Sequence, residues 1–340
     1  MASYTHPTMR EREMIFLYHG FGFTIRRIGR LIKRSPSTVM RELKRNTTKL
    51  RAYSPSLAQK SYHKNKQKCG RKRILDQSPY KETIRKLLFE DQWSPEQIAN
   101  RINLETNESI ISYPTIYRSI YNGLFDEGFP VGSPEARKML RRKGRKSVNK
   151  RIGDRRGRFT DVKTIHERPK KAETREELGH WEADTVLGHR GKSCLVTLVD
   201  RKSRFLLAGR IPKNDSICVR DMIVQLLSPL NKKQRKTITP DRGPEFAKYK
   251  YFSRLSGVDC YFADPWSPWQ RGTNENTNGL IREYLPKRTD MTPVSEKYIE
   301  YVIHKLNNRP RKCLKWKTPY EMFFSTSLKF IQQKVSRDSL

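Results

Sequence analysis

Acidic residues are scarce in the C-terminal half of this chain, so the positions they hold carry information. Residues 179–340 contain 16 Asp and Glu against 30 Lys and Arg. Three of the acids stand where side chains from separate elements could converge. They are Asp184 within HWEADTVLG, Asp241 directly after TITP, and Glu275 early in RGTNENTNGLIREYL. Carboxylates gathered without His or Cys make a hard, all-oxygen site, suited to Mg²⁺ or Mn²⁺ rather than zinc. In a chain built for a polyanion such a site points to phosphoryl transfer, with two ions activating the attacking oxygen and stabilising the leaving one. Without metal the three would repel one another and raise each other's pKa. Any one of them alone is more simply a surface or ion-paired acid. Glu182 shares its strand face with Asp184, and spacing does not choose between them; Asp200, Glu245 and Asp264 are further decoys. The residues by themselves lead to a metal-dependent nuclease or strand-transfer enzyme and no further.

The elements that must position these acids read as a mixed α/β domain. HWEADTVLG alternates like a strand, CLVTLVD at 194–200 is a short β-branched strand, Arg201 to Ser203 turn, and 204–211 returns. Residues 215–230 have helical apolar spacing, TITP and 259–264 are further short strands, and a long helix follows. The order β-β-β-α-β predicts an early antiparallel meander. In the helix at 295–307, Tyr298, Ile299, Val302 and Leu306 form one stripe, expected to pack on its own sheet.

The whole chain has 340 residues, enough for two or three domains. Its 71 Lys and Arg outnumber 35 Asp and Glu, a net charge of +36. With 35% hydrophobic and 10% aromatic residues it can build cores, so the charge calls for a polyanion rather than disorder. Nucleic acid is the first candidate and an anionic membrane surface the second. The excess is +14 over 1–125, +8 over 126–178 and +14 over 179–340, as expected for DNA laid along several modules. No run of about 18 apolar residues could span a membrane, and the N-terminus has no apolar signal core. Five cysteines without C-x-x-C spacing make neither a disulfide nor a zinc framework, which fits a reducing, cytoplasmic compartment.

Two stretches read as helix-turn-helix units. In the first, a helix at 9–19 with Met14, Leu17 and Tyr18 inward precedes a short helix at 24–33 with Ile25, Ile28 and Ile32 on one face. Ser35-Pro36 then opens a helix that presents Ser37, Thr38, Arg41, Lys44 and Arg45, the geometry that enters a major groove. In the second, Ile84, Leu87 and Leu88 mark one helix, Ser94-Pro95-Glu96-Gln97 is a capping box for the next, and Ser112 caps a third that presents Thr115, Arg118 and Ser119. Arg41 and Arg118 are the side chains expected at base edges. Residues 137–158 hold twelve Lys or Arg and one acid, and read as an extended linker that straps phosphates, with Arg141, Arg142, Lys143, Arg145 and Lys146 among its contacts. The expected boundaries are 1–52 for the first unit, 53–77 for a basic connector, 78–125 for the second unit, 126–175 for the linker, 176–330 for the catalytic core and 331–340 for a tail.

The runs HWEADTVLG, TPDRGPEFA and RGTNENTNGLIREYLPK occur in the order of the integrase-core domain of DDE transposases, and the chain resembles the insertion-sequence-thirty family of bacterial transposases most. The stretch LNNRPRKCLKWKTPYEMF and the first helical unit are also similar to that family, so the resemblance covers nearly the whole chain. It implies a multidomain α plus α/β protein, helix-turn-helix units followed by a ribonuclease H-like catalytic domain. It places the family's triad on Asp184, Asp241 and Glu275, and so prefers Asp184 to Glu182. The last two acids have 33 residues between them, the family's D-x33-E spacing. The basic residue one heptad on is Arg282, expected to hold a phosphate, and Asn274, Asn276 and Asn278 are expected to position DNA. The resemblance further implies Mg²⁺ or Mn²⁺, two ions per site, and recognition of terminal inverted repeats on double-stranded DNA. Cleavage to a 3′-OH and strand transfer into target DNA follow. Paired ends need a homo-oligomer, at least a dimer, and the place of action is the bacterial cytoplasm at the nucleoid, with no membrane partner. A non-catalytic DNA-binding regulator and a structure-selective nuclease are the alternatives.

Overall fold

The computed structural model describes residues 5–48, 52–69, 73–130, 132–140, 162–189, 192–265 and 267–331. The chain divides into two compact units, 1–73 and 74–340. The phosphate-strap residues Arg141, Arg142, Lys143, Arg145 and Lys146 lie outside the described residues.

The first unit contains α1 (Met9–Gly20), α2 (Ile25–Leu31), α3 (Pro36–Asn46) and α4 (Pro55–Lys68). Thr8, Thr24 and Ser35 cap the first three through side-chain oxygens. Ile15, Ile28, Ile32, Val39, Leu43, Tyr53 and Ala58 form its core, each fully buried Ile or Leu stabilising by about 1.5–3 kcal/mol. The expected connector at 53–77 is in part a fourth helix of this unit: Pro55 starts α4, and Tyr53 and Ala58 bury themselves against α1 and α3. The inward face of α1 also differs from expectation. Leu17 is exposed, while Ile15 is buried with Arg12, whose charge is met by Glu42 at 2.6 Å. Gly29 is where α2 passes the α2–α3 turn; a Cβ there would stand 2.9 Å from the Arg34 carbonyl oxygen, so glycine is what permits the tight turn.

The second unit begins with α5 (Lys81–Phe89), α6 (Pro95–Thr106) and α7 (Tyr113–Tyr121), packed around Ile84, Leu88, Ile98, Ile102, Ile116 and Ile120. The capping box on α6 is formed, Ser94 and Gln97 bonding each other's backbone N–H. Ser112 stands at the start of α7 but bonds the Thr115 hydroxyl at 2.9 Å instead of a backbone N–H. After α8 (Glu135–Lys138) and α9 (Lys170–Thr174) comes a five-stranded sheet: β1 (His180–Leu187), β2 (Cys194–Asp200), β3 (Leu206–Ile211), β4 (Thr237–Thr239) and β5 (Asp259–Cys260). Its order is β3-β2-β1-β4-β5, antiparallel across the first three and parallel from β1 to β4 to β5. The helices are α10 (Ser216–Leu227), α11 (Tyr249–Ser256), α12 (Gly272–Tyr284), α13 (Glu296–Asn307) and α14 (Pro319–Phe324).

Alternation along the strands sorts the sheet into two faces. Trp181, Ala183, Val196, Leu198 and Ile238 meet α10 and α11 through Val219, Ile223 and Phe252. Val186, Leu195, Val199 and Leu206 meet α12 and α13 through Leu280, Ile281, Ile299, Val302 and Leu306. Tyr298 of the expected α13 stripe is exposed. Helices on both sides of a mixed sheet with an antiparallel start make this a ribonuclease H-like fold, as expected. Part of the expected linker is structured too: Ile165 and Ala172 are buried, and Thr164 bridges to Phe262.

The α5–α7 group is anchored to the end of the sheet domain. Arg101, buried on α6, bonds both oxygens of Glu321 on α14 at 2.7 and 2.8 Å and Glu105 at 2.6 Å. Glu105 in turn accepts the backbone N–H groups of Phe330 and Ile331, and Phe330 packs on Trp93.

Candidate active site

On β1, His180, Glu182, Asp184 and Val186 face α12. The parallel register pairs His180 with Thr237 and Glu182 with Thr239. β4 ends at Thr239, and Asp241 follows two residues on, past the last paired position. Asp241 is 8% exposed. Its Oδ1 accepts the Gly243 N–H at 2.9 Å and its Oδ2 the Arg271 guanidinium at 3.2 Å. The same guanidinium reaches the Ala183 carbonyl oxygen at 3.2 Å, tying the two strands together beside both aspartates. Gly243 leaves room for the next acid in this turn: a Cβ there would collide with the Glu245 carboxylate and push it aside.

Asp184 is half-buried. Its Oδ1 accepts the Thr185 N–H at 2.8 Å and its Oδ2 the Asn278 amide at 3.0 Å. Glu182, one pleat away, is wholly buried and committed to structure: it pairs with Arg201 at 2.5 Å and accepts the Asn274 N–H at 2.9 Å, fixing the start of α12. That settlement leaves Asp184 as the β1 acid open to solvent. Asp200 is likewise structural, accepting Gly179 N–H, Ser203 N–H and the Ser203 hydroxyl; burial pushes its carboxyl up against those bonds. Asp264 is held by Gln270 and His166. Glu245 meets Thr185 at 3.5 Å.

Glu275 stands on the first turn of α12 and is exposed. Arg271, Glu275, Asn278 and Arg282 follow i, i+4, i+7, i+11, one stripe of the helix. Its neighbours on that stripe hold the other two acids: Arg271 binds Asp241 and Asn278 binds Asp184. Arg282 donates to the Leu187 carbonyl oxygen at 2.6 Å; burial lowers its pKa while the charge of Asp184 opposes that shift. The three carboxylates are not gathered into one cluster. Among the described residues no group of three or more His, Cys, Asp or Glu is close enough to hold a metal ion. Like charges in contact repel, and here Asp184 and Asp241 take separate donors while Glu275 stays in water. In kind the set fits a hard cation: oxygen donors only, with Glu275 on the helix stripe between the partners of Asp184 and Asp241.

The asparagines divide. Asn274 is fully buried, its amide donating to the Glu182 carbonyl oxygen and its Oδ1 accepting the Thr197 hydroxyl, so it positions the helix and is out of reach of DNA. Asn278 orients Asp184, and Asn276 is exposed. Sequence reasoning passed over Arg271, although its i−4 spacing from Glu275 was the available signal.

Of the residues expected to face DNA, Ser37, Arg41, Lys44 and Arg45 are exposed on α3; Thr38 is half-buried and bonds the Ser35 cap at 2.8 Å. On α7, Arg118 is exposed, Thr115 half-buried, and Ser119, 7% exposed, turns into the core, a correction to its outward reading. Helical periodicity explains it: Ser119 shares the face of Ile116 and Ile120.

Residues 174–268 match the family described as Integrase core domain, and residues 3–46 the Helix-turn-helix domain. The chain is 38% identical over 325 residues to the transposase InsI for insertion sequence element IS30A of Escherichia coli K12, covering 93% of this chain and 83% of that protein. It is 35% identical to the transposase for IS1086 of Cupriavidus metallidurans, covering 92% of each. The catalytic core domain of BIV integrase superposes with a TM-score of 0.35 at 21% identity, over 43% of this chain and 93% of that one.

Proposed function

Starting from the fact that this chain belongs to the IS30 family of transposases, we propose that Asp184, Asp241 and Glu275 are its catalytic acids. As a transposase with an integrase core it is a polynucleotidyl transferase of the DDE type, and its helix-turn-helix unit binds DNA. What supports the assignment is the α12 stripe on which Arg271 binds Asp241, Asn278 binds Asp184, and Glu275 lies between them.

Integrase-core enzymes generally use a divalent cation, and Asp184, Asp241 and Glu275 would hold it. A bound Mg²⁺ or Mn²⁺, one ion or a pair, supplies Lewis-acid charge at the reacting phosphate. The chain's own residues do the rest. Asn278 fixes the carboxylate plane of Asp184, and Arg271 sets Asp241 against the β1 backbone. Arg282, beside Asp184 and half-buried, offers its guanidinium to a phosphate oxygen. In the first step a water oxygen bonds to phosphorus as the P–O3′ bond breaks, leaving a 3′-hydroxyl on the element strand. That hydroxyl then attacks a phosphodiester of the target, whose own 3′ oxygen leaves. Both steps are in-line substitutions at phosphorus, so one site serves both.

The DNA is the element's terminal inverted repeats and a target duplex, with Arg41, Lys44 and Arg45 the groove-facing set of α3. Two ends cut together call for at least two copies of the chain, acting in the cytoplasm at the nucleoid. No helix among the described residues is long and apolar enough to cross a membrane.

A nicking assay on a supercoiled plasmid carrying the element's end tests this. Asp184→Asn, Asp241→Asn and Glu275→Gln each lower Mg²⁺-dependent cleavage on the order of 10³-fold, the scale of removing a group that stabilises charge at the reacting oxygen. End binding by gel shift persists. Full cleavage by the Asp241→Asn protein overturns the assignment.

A further inference from the structure

The buried arginines of this molecule are paired with carboxylates. Arg12 is matched by Glu42, Arg101 by Glu105 and Glu321, and Arg309 by Glu283. At the foot of the sheet, on the α12 side, buried Arg201 is joined by half-buried Arg168 and Arg204 and exposed Arg175. Arg168, Arg175, Arg201 and Arg204 lie close enough to shift one another's charge equilibria. Among the described residues, the one carboxylate paired with any of them is Glu182, on Arg201; Arg168, Arg175 and Arg204 have no ion pair there. Burial, then the neighbouring guanidinium of Arg201, brings Arg168 down to about 10. A guanidinium has five N–H donors. Arg168 uses one, to Thr239 Oγ1 at 3.3 Å, and Arg204 one, to the Thr273 hydroxyl. The Nε atoms of both are buried without a partner, and so is His180 Nε2, whose other ring nitrogen meets Thr237 Oγ1 at 2.8 Å.

The backbone holds this arrangement. Arg175 and Arg204 both sit at left-handed φ, +61° and +64°, where glycine or asparagine is the ordinary choice. Arg201 is fastened by the Ala172 carbonyl oxygen at 2.8 Å. The cluster also adjoins the reaction centre: Arg201 reaches the Gln270 carbonyl oxygen at 3.3 Å and Arg204 reaches Thr273. Those two residues flank Arg271, which holds Asp241. Three guanidinium groups without an ion pair of their own among the described residues, with spare donors and on a fixed backbone, suit a polyvalent oxyanion, and the planar fork of Arg fits two oxygens of a phosphate.

We propose that Arg168, Arg204 and Arg175, braced by Arg201, bind a backbone phosphate of the DNA strand close to the phosphodiester that reacts. This rests on the transposase reading and adds to it a fixed grip on the substrate strand beside the catalytic acids.

The test uses the full chain and a duplex bearing the element's end, without divalent metal. Single methylphosphonate linkages, which remove one backbone charge each, are scanned across the nucleotides around the cleavage point. One linkage near the cut weakens wild-type binding several-fold and has no further effect on the Arg168→Gln/Arg204→Gln protein. That variant's plot of log affinity against log salt is shallower by about one unit, as expected when the protein neutralises one phosphate fewer. The Arg168→Lys/Arg204→Lys protein regains the slope. An unchanged slope with an unchanged linkage profile overturns the proposal. Should the Gln variant fail to fold, a flat wild-type profile beside the cut overturns it equally. The two readings part cleanly: a protein with this phosphate profile that never nicks DNA in Mg²⁺ loses the triad and keeps the cluster, whereas nicking with a flat profile does the reverse.

Discussion

The α1–α4 and α5–α7 groups start from similar sequence signals and end in different employment. Around α3, the exposed polar face holds Ser37, Arg41, Lys44 and Arg45, and the charge of buried Arg12 is satisfied inside the same unit by Glu42. Around α7, one arginine, Arg118, is exposed, Tyr113 and Tyr121 are exposed beside it, and Ser119 is core. The buried arginine of that group, Arg101, is satisfied from outside it, by Glu321 on α14. Capped helix, turn and second helix are therefore a packing solution first. Whether the last helix reads DNA depends on how much charge it exposes, and whether the group stays put depends on where its buried charge finds a partner.

The largest effect expected from this contrast is on stability. Arg101→Ala strands Glu321 and Glu105 and destabilises by about 3–5 kcal/mol, as for other broken buried pairs. Arg41→Ala, on an exposed face, stays within about 0.5 kcal/mol. Urea unfolding measures both, and equal values erase the distinction. Acid probes the same anchor. Burial works against ionised Glu321, but Arg101 and the Thr318 and Leu328 N–H groups hold it down to about 2 from an ordinary 4.5. A lowered folded-state pKa stabilises above the unfolded value, so the anchor is intact above about pH 4.5 and is lost as pH falls toward 2. Glu321→Gln removes that segment of the pH–stability curve.

DNA binding gives the next effect. Arg41→Ala lowers affinity for the end sequence by about 1–3 kcal/mol and relaxes preference at one base pair. Arg118→Ala does the same only if α7 also enters a groove; a matching loss in a competition assay makes the two groups equivalent readers. The smallest effect separates two serines. Ser94→Ala loses a working cap, about 1 kcal/mol, while Ser112→Ala loses no backbone bond and changes thermal stability by under about 0.5 kcal/mol.

Local pattern made much of this legible. The alternation of HWEADTVLG, the β-branched run CLVTLVD, the Ser94 box and the Ile98–Ile102 spacing all depend on neighbours within a few residues, and the structure has strands and helix there as read. The rest depends on contacts that spacing does not encode. Glu182 and Asp184 are alike in the sequence, and only the Arg201 and Asn274 contacts to Glu182 tell them apart in the fold. Asn274 belongs to the same motif as Glu275, yet one is in the core and the other in water. The arginine cluster draws Arg168 and Arg175 from a tract read as linker, because its high charge hid the buried Ile165 and Ala172 that fold it onto the sheet.

The anchor of α5–α7 bears on how the molecule is made. Glu105 accepts the N–H of Ile331, a residue 226 positions later in the chain. At about 5–20 residues per second the ribosome needs roughly 11–45 s to reach it. Throughout that interval the nascent helices have Glu105 and Arg101 without their distant partners. What keeps them folded then is their own Ile84–Leu88–Ile98 cluster and the cap at Ser94.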